Sequence, residues 1–378
     1  MSEKLVIKNF GTIKHVDLDI KKVNVLIGDQ GTGKSTVAKV LAIFRDSYFH
    51  IIKENYNHID HFEDYGILTY FNKETFLEYN CNLFDIVFFD SKFNIKYYNG
   101  IDLYINELER ILNSYDENNA DIKLDEYKNL SNKVEDIFAE EILYIPAERV
   151  LVPIISNSSF SFLRNKIALP EYLSSFGEDF QIARRNTPNK RKIEYLDIEY
   201  IYNNNIDYIS GKNFSNLKLT EAATGYLSSV PLFLVVDGYS SDITTNTNET
   251  AFFVVEEPEI SLFPQTQYKL IQFLISKTLL NDKYLITTHS PYILTSLNNL
   301  MQAFIVGENN SEKVNEIIEK KYWLNPKDVS AYMLTTDGFA ENIIAEDGLI
   351  MTEKIDAVSD VLNGLYDKLL DIKYSNSQ

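Results

Sequence analysis

The chain has 378 residues, 45% of them hydrophobic and 24% charged, a globular balance with room for one large domain carrying insertions. Thirty-six basic against 55 acidic residues leave a formal charge of −19, which argues against holding nucleic acid through a general electrostatic surface but leaves room for a local basic patch. A single cysteine, Cys81, excludes an intramolecular disulfide; MSEKLVIKNF lacks a signal-peptide layout and the apolar run Val230 to Val236 is too short to cross a bilayer, so a cytoplasmic protein with no membrane partner is expected.

Leu5 and Ile7, then Val16, Leu18 and Ile20, alternate with polar residues around a Gly11-Thr12 turn, predicting two β-elements. Val23, Val25 and Ile27 predict a third strand, which runs directly into GDQGTGKS, Gly28 to Ser35. This segment fits G-x-x-x-x-G-K-[ST] at every constrained position. Glycines let successive backbone N–H groups curl inward into an anion-binding nest, where a Cβ would obstruct the turn. Lys34 is placed to reach the β- and γ-phosphates, Ser35 to bind Mg²⁺, and the next helix to add its positive end. That helix is predicted from Val37, Val40, Leu41 and Phe44 on one face. The candidate nucleotide-binding set is therefore Gly28, Asp29, Gln30, Gly31, Thr32, Gly33, Lys34, Ser35 and Thr36.

A first insertion is expected over about 46–140. Within it FDIVFFD and FNIKYYNG predict a hairpin turning near Asp90-Ser91-Lys92, and Leu103 to Leu112 and Val134 to Phe138 have helical periodicity. EEILYIPAERV predicts a buried strand, Ile142 to Ile145, ended by Pro146. A second insertion of helices and hairpins is expected over about 156–216, after which strand–helix alternation resumes at Ala251. The end, about 307–378, is expected to be helical; Ile355, Val358, Leu362, Leu365 and Leu369 form one apolar seam, suited to packing on its own domain or to a partner.

AFFVVEEPEISLFP, Ala251 to Pro264, puts two adjacent carboxylates at the end of a buried strand, where open parallel sheets bind ligands. Glu256 is the candidate Mg²⁺ ligand and Glu257 the candidate group that polarises the attacking water; such a pair repels itself unless a cation or proton relieves it. KYLITTHSPYIL ends a further strand in His289, positioned either to sense the γ-phosphate or to serve structure alone. HIDHFED, His58 to Asp64, suits a polar loop or helix end better than a closed metal site. ARRNTPNKRK, Ala183 to Lys192, is the one dense basic run: a solvated hairpin loop, or a contact for nucleic-acid phosphates or an acidic partner. No Ser-His-Asp or Cys-His arrangement is readable.

With FGTIKHVDLDI, GDQGTGKST, YIPAER, EEPEISLFP and TTHSPYIL together, most of the chain resembles the ABC-type ATPase heads, and within them the OLD-like (overcoming lysogenization defect) family, many of whose members serve anti-phage systems. The resemblance implies one α/β P-loop ABC-type ATPase head with an N-terminal β lobe, a parallel core sheet and helical and hairpin insertions, using ATP and Mg²⁺. It also implies a head-to-tail homodimer or higher homo-oligomer that sandwiches ATP. Each site would be completed in trans by Thr224 and Gly225 of TEAATGYLSS. Ala223 stands where the family usually has serine, Pro231 is expected to interrupt the helix, and Gln30 replaces a commoner asparagine. By the same resemblance Arg149 lies near the nucleotide or lobe interface, or simply pairs with carboxylates, and Gln181 is the candidate for coupling Mg²⁺ to the lobes. No TOPRIM nuclease layout follows His289, so the expected role is a sensor or scaffold subunit with a separate effector. Two alternatives stand beside it: a DNA-processing SMC- or recombination-like ATPase, and a non-hydrolysing ATP-dependent scaffold.

Overall fold

The computed structural model describes residues 3–51, 57–113, 120–138, 140–156, 169–187, 190–242, 250–278, 282–352 and 364–369. Strands β1 (Glu3–Phe10) and β2 (Ile13–Ile20) form a hairpin, followed by β3 (Val23–Gly28) and helix α1 (Lys34–Arg45). Three strands then extend the hairpin: β4 (Phe76–Asn80), β5 (Phe84–Phe89) and β6 (Lys92–Tyr97). The result is a five-stranded antiparallel lobe in the order β2-β1-β4-β5-β6. The first presumed insertion therefore completes the N-terminal β lobe. Its hairpin turns where expected, with Asp90 and Ser91 both at positive φ, 50° and 60°, as a two-residue turn of this twist requires. Helices α2 (Ile101–Asn113) and α3 (Ala120–Ile137) pack on each other and lead into β7 (Glu140–Ile145).

Next come α4 (Glu171–Asn186) and a four-stranded antiparallel sheet of β8 (Arg191–Ile193), β9 (Ile198–Asn203), β10 (Ile206–Gly211) and β11 (Phe214–Lys218). The remaining elements are α5 (Thr224–Asp242), β12 (Thr250–Glu256), α6 (Pro264–Lys277), β13 (Lys283–Thr288), α7 (Pro291–Ile317), β14 (Val329–Leu334) and β15 (Ala340–Asn342). The core sheet has the order β15-β14-β3-β13-β12-β7, parallel except for β15. Both faces are buried, and alternate residues of one strand serve opposite sides. Val25 and Ile27 join the cluster under α5, α6 and α7, whereas Leu26 joins the cluster under α1 and the β lobe. Asn24, buried in the middle of the sheet, donates to the carbonyls of Lys21 and Tyr284 and accepts from Lys21 N–H and the Ser330 hydroxyl, fixing the register of three strands.

Two expectations are corrected. The segment after 307 is not simply a helical end: α7 stops at Ile317, and VSAYML forms β14 beside β3. A short run buried on both faces shows no alternation, so periodicity cannot separate it from a helix. Pro231 does not interrupt α5 either, which runs through it. Arg149 and the Tyr195 hydroxyl donate to the Ser228 and Ser229 carbonyls in the turn before the proline, and the surrounding residues are buried on all sides. Of the C-terminal seam, Ile355, Val358 and Leu362 lie outside the described residues; Leu365 and Leu369 sit exposed on a short helical stretch.

His50, fully buried in the aromatic core of the β lobe, stacks on Phe138 with centroids 4.5 Å apart, and its Nε2 lies 3.0 Å from the Phe44 carbonyl. Burial pushes its pKa down to about 3, with His58 and His61 acting in the same sense and the Phe44 contact opposing. The neutral ring is thus favoured by the fold. Its contribution is complete above the unfolded value near 6.5 and is lost as pH falls below it. Urea unfolding of the wild type is predicted to lose about 2 kcal/mol more between pH 7 and pH 5 than unfolding of His50→Gln. Equal pH slopes would show that the ring does not carry this linkage.

Candidate functional site

Parallel register brings three strand ends to one edge. Ile27 pairs with Thr288 and Glu256 with Thr287, so the phosphate loop, the carboxylate pair and His289 leave the sheet side by side. In the loop, Gly31 and Gly33 take φ of 77° and 98°, open to glycine at little cost, and a Cβ on Gly28 would collide with the Leu334 carbonyl of β14. The Lys34 ammonium donates to the carbonyls of Gly28 at 2.8 Å and Asp29 at 2.9 Å, which holds it across the loop; the Thr32 hydroxyl also donates to Asp29. Burial pulls the Lys34 pKa down, while Glu257, Asp29, Glu259 and Glu256 push it back up. The first turn of α1 contains no acid to neutralise its positive end.

A cavity of about 260 Å³ lies over this loop. Gln30, Gly31, Gly33, Lys34, Ser35 and Thr36 line it together with Glu257, His289, Thr12 and Tyr70. His289 Nε2 lies 3.2 Å from Glu257 Oε1. Glu256 is buried beside them, and its Oε2 accepts from Ala147 N–H at 3.3 Å. Its Oε1 is buried without a hydrogen-bond donor among the described residues. Burial raises the Glu256 pKa against the pull of the Ser35 hydroxyl and Lys39. A buried carboxylate oxygen lacking a donor, next to a serine hydroxyl, is a donor set that fits a hard divalent cation such as Mg²⁺.

Arg149 does not line this cavity, and among the described residues it pairs with no carboxylate. Fully buried, it donates to four main-chain carbonyls: Nε to Ser228 at 3.0 Å, Nη1 to Pro146 at 3.0 Å and Glu256 at 2.6 Å, and Nη2 to Glu257 at 2.8 Å. The end of β7, helix α5 and the end of β12 are thereby tied at one point. Glu257 has a φ of 42°, uncommon for a residue with a side chain, and the Arg149 bond to its carbonyl together with its own N–H bond to Thr287 hold that conformation. Burial lowers the Arg149 pKa to about 10, with Glu259 and other neighbours opposing.

Thr224, exposed, and Gly225 begin α5, and neither lines the cavity formed by their own phosphate loop. Gly225 abuts the Ser261 carbonyl, where a Cβ would sit 2.8 Å away. Gln181 is not brought to the cavity; it lies on α4 and accepts from Arg185 at 3.4 Å. The basic run is divided: Arg184 is buried in an ion pair with Asp207 at 3.1 Å, whereas Arg185, Lys190 and Lys192 are exposed. Among the described residues no group of three His, Cys, Asp or Glu is arranged to hold a metal, and the HIDHFED histidines pack on Phe49. Two residues that sequence reasoning passed over complete the edge. Glu259 accepts from the Thr288 hydroxyl at 2.6 Å and His289 N–H at 2.8 Å, and Gln267 joins the Ser290 hydroxyl to the Leu262 carbonyl. Glu259 stands inside the quoted EEPEISLFP, but its spacing carries no signal of its own.

The sequence profile of the AAA ATPase domain matches residues 1–179 and 166–294. The chain belongs to the AAA ATPase domain family. No curated protein matches it in sequence. Solved structures similar to this AAA ATPase domain include the SMC head domain from Thermotoga maritima, at 14% identity over 78% of this chain and 92% of that one with a TM-score of 0.38. The Smc head domain of Pyrococcus furiosus bound to the C-terminal domain of ScpA gives 10% identity, 95% and 99% coverage and a TM-score of 0.38. CbiO1 from Clostridium perfringens, part of the ABC transporter complex cbiONQ, gives 12%, full coverage of both chains and 0.32. Among the described residues no helix of this AAA ATPase domain is long and apolar enough to cross a membrane.

Replacing Arg149 with lysine keeps the charge but not the planar fork that reaches four carbonyls. Arg149→Lys is predicted to lower unfolding stability by about 2–4 kcal/mol, measured in urea, because buried carbonyls lose their donors. A loss below about 0.5 kcal/mol would place the clamp among replaceable contacts.

Proposed function

We propose that this protein binds and slowly hydrolyses Mg-ATP, and that it closes head to tail around two nucleotides as the sensor or scaffold subunit of a cytoplasmic anti-phage complex with a separate effector. The observation that carries the ATPase reading is the convergence of Lys34, Ser35, Glu257 and His289 on one cavity above a glycine nest, with the buried oxygen of Glu256 behind it. The defence assignment rests on the resemblance of the motifs to OLD-like proteins, and the sandwich on Thr224 and Gly225 lying outside their own cavity.

In this reading the loop N–H groups and Lys34 neutralise the phosphates, with Lys34 exchanging its carbonyl partners for phosphate oxygens. Ser35 and Glu256 would hold Mg²⁺, which when bound supplies charge neutralisation at the phosphates. Glu257 orients the attacking water, and the left-handed backbone at Glu257 fixes where its carboxylate points. His289, in contact with Glu257, reports the position of the γ-phosphate to that carboxylate. Glu259 positions His289 through its N–H, and the partly exposed ring of Tyr70 offers the base an apolar face at the cavity mouth. Thr224, Gly225 and the positive end of α5 from a second subunit would meet the γ-phosphate.

Two variants test the chemistry. Lys34→Ala is predicted to lose ATP binding in calorimetric titration. Glu257→Gln is predicted to bind ATP as the wild type does while turnover falls by about 100-fold or more. Wild-type turnover in Glu257→Gln would remove that residue from the water-orienting role.

A further inference from the structure

A second and larger cavity, about 730 Å³, opens between β8, α5, α6 and the turn at Lys320–Tyr322. It shares no lining residue with the cavity over the phosphate loop. Its lining carries six cations, Lys190, Arg191, Lys192, Lys269, Lys277 and Lys321, against two carboxylates, Glu194 and Asp237. In a chain of formal charge −19 this is a local inversion of sign, which holds when Glu199, paired with Lys190 at 3.5 Å, and Glu319 are counted as well. Asp237 pairs with both Arg191 and Lys277, the latter at 3.0 Å, and Lys321 pairs with Glu319 at 2.8 Å on an exposed rim. Lys192 and Lys269, both exposed, have no ion-pair partner among the described residues. The floor is aromatic: Phe273 lies 5.0 Å from Phe233 and 5.6 Å from Tyr195, at interplanar angles of 32°, and Phe273 and Tyr322 remain partly exposed.

Clustered ammonium groups over an aromatic floor match a ligand that is anionic at one end and planar at the other. The volume lies in the range of small-ligand pockets. The chain's formal charge of −19 disfavours a long polyanion as a whole, whereas a ligand of one or two nucleotides stays within the cationic rim. We propose that this cleft is a second nucleotide site, separate from the phosphate loop, in which Lys192, Lys269 and Lys321 take the phosphates of a mono- or dinucleotide and Phe273 and Tyr322 take its base. The same chemistry could present itself as the end of a single strand, and the test separates the two sources.

The experiment titrates the 5′-phosphorylated dinucleotide pApA, the strand (dT)20 and a poly-glutamate peptide into the full-length chain carrying Lys34→Ala, which removes phosphate-loop binding. The same titrations are run with Lys269→Glu and Lys321→Glu added. The proposal expects pApA to bind the Lys34→Ala protein, more weakly as salt rises, and to lose about tenfold or more on the double charge reversal. It also expects (dT)20 to bind no more tightly than pApA. In a Lys34-containing background, the reversed residues should leave ATP affinity at the phosphate loop unchanged, which shows that the variant is folded. Absence of pApA binding, or equal binding by the reversed variant, overturns the proposal. Binding of (dT)20 without pApA would assign the cleft to a strand, and binding of poly-glutamate alone to an acidic protein; either result contradicts a nucleotide-sized ligand.

Discussion

A guanidinium shut off from solvent joins the parts of this protein that must keep their relative positions. Arg149 has no carboxylate partner among the described residues; its donors go to four carbonyls, from the turn after β7, from α5 and from the two glutamates at the end of β12. Burying a charge this deeply is costly unless its donors are satisfied. Its Nε and both Nη atoms are hydrogen-bonded, so the interaction works as a rigid node. The backbone it fixes includes Glu257 in a left-handed conformation, and the side chain so directed meets His289. One interaction thus couples the candidate water-orienting carboxylate to the helix whose first residues are proposed to serve a second subunit.

The sheet beneath supplies the rest of the geometry. Parallel pairing with both faces buried makes register the determinant of where side chains emerge, and Asn24 pins that register from the inside with its four hydrogen bonds. The phosphate loop is held from two further directions: Gly28 lies against the β14 carbonyl of Leu334, and Gly33 lies against Ile13 of the β lobe, where a Cβ would come within 2.8 Å. Movement of lobe or core sheet is therefore felt at the loop, a steric route by which nucleotide occupancy and lobe position can bias each other.

How far the sequence disclosed this differs from element to element. That the phosphate loop, the adjacent glutamates and His289 meet at one edge was legible because each stretch carries a motif at the end of a strand pattern, and of the lobe strands β1, β2 and the β5–β6 hairpin were legible whereas β4 was not. β14 was not, since VSAYML is buried on both faces and carries no period. Pro231 misled because the helix through it is held by tertiary contacts: it is buried, and Arg149 and Tyr195, far away in the chain, donate to the Ser228 and Ser229 carbonyls just before it. Arg149 itself was visible within YIPAER, but its role depends on carbonyls, which no side-chain pattern records. Gln181 was a guess by residue type, and its outward position on α4 follows from the helical face it occupies. Arg184 belonged to a basic run by composition and to the interior by its pairing with Asp207, a residue 23 positions on.

The proposed function makes the strand-edge cluster half of a nucleotide-gated interface, completed by the start of α5 in a second copy. The most direct measurement is the mass in solution of the Glu257→Gln protein with and without Mg-ATP. The account predicts a shift from monomer to dimer that requires nucleotide and is abolished by Gly225→Trp, which blocks the start of α5 beside the Ser261 carbonyl. A mass that is the same with and without nucleotide, in a protein that still binds ATP, would contradict it.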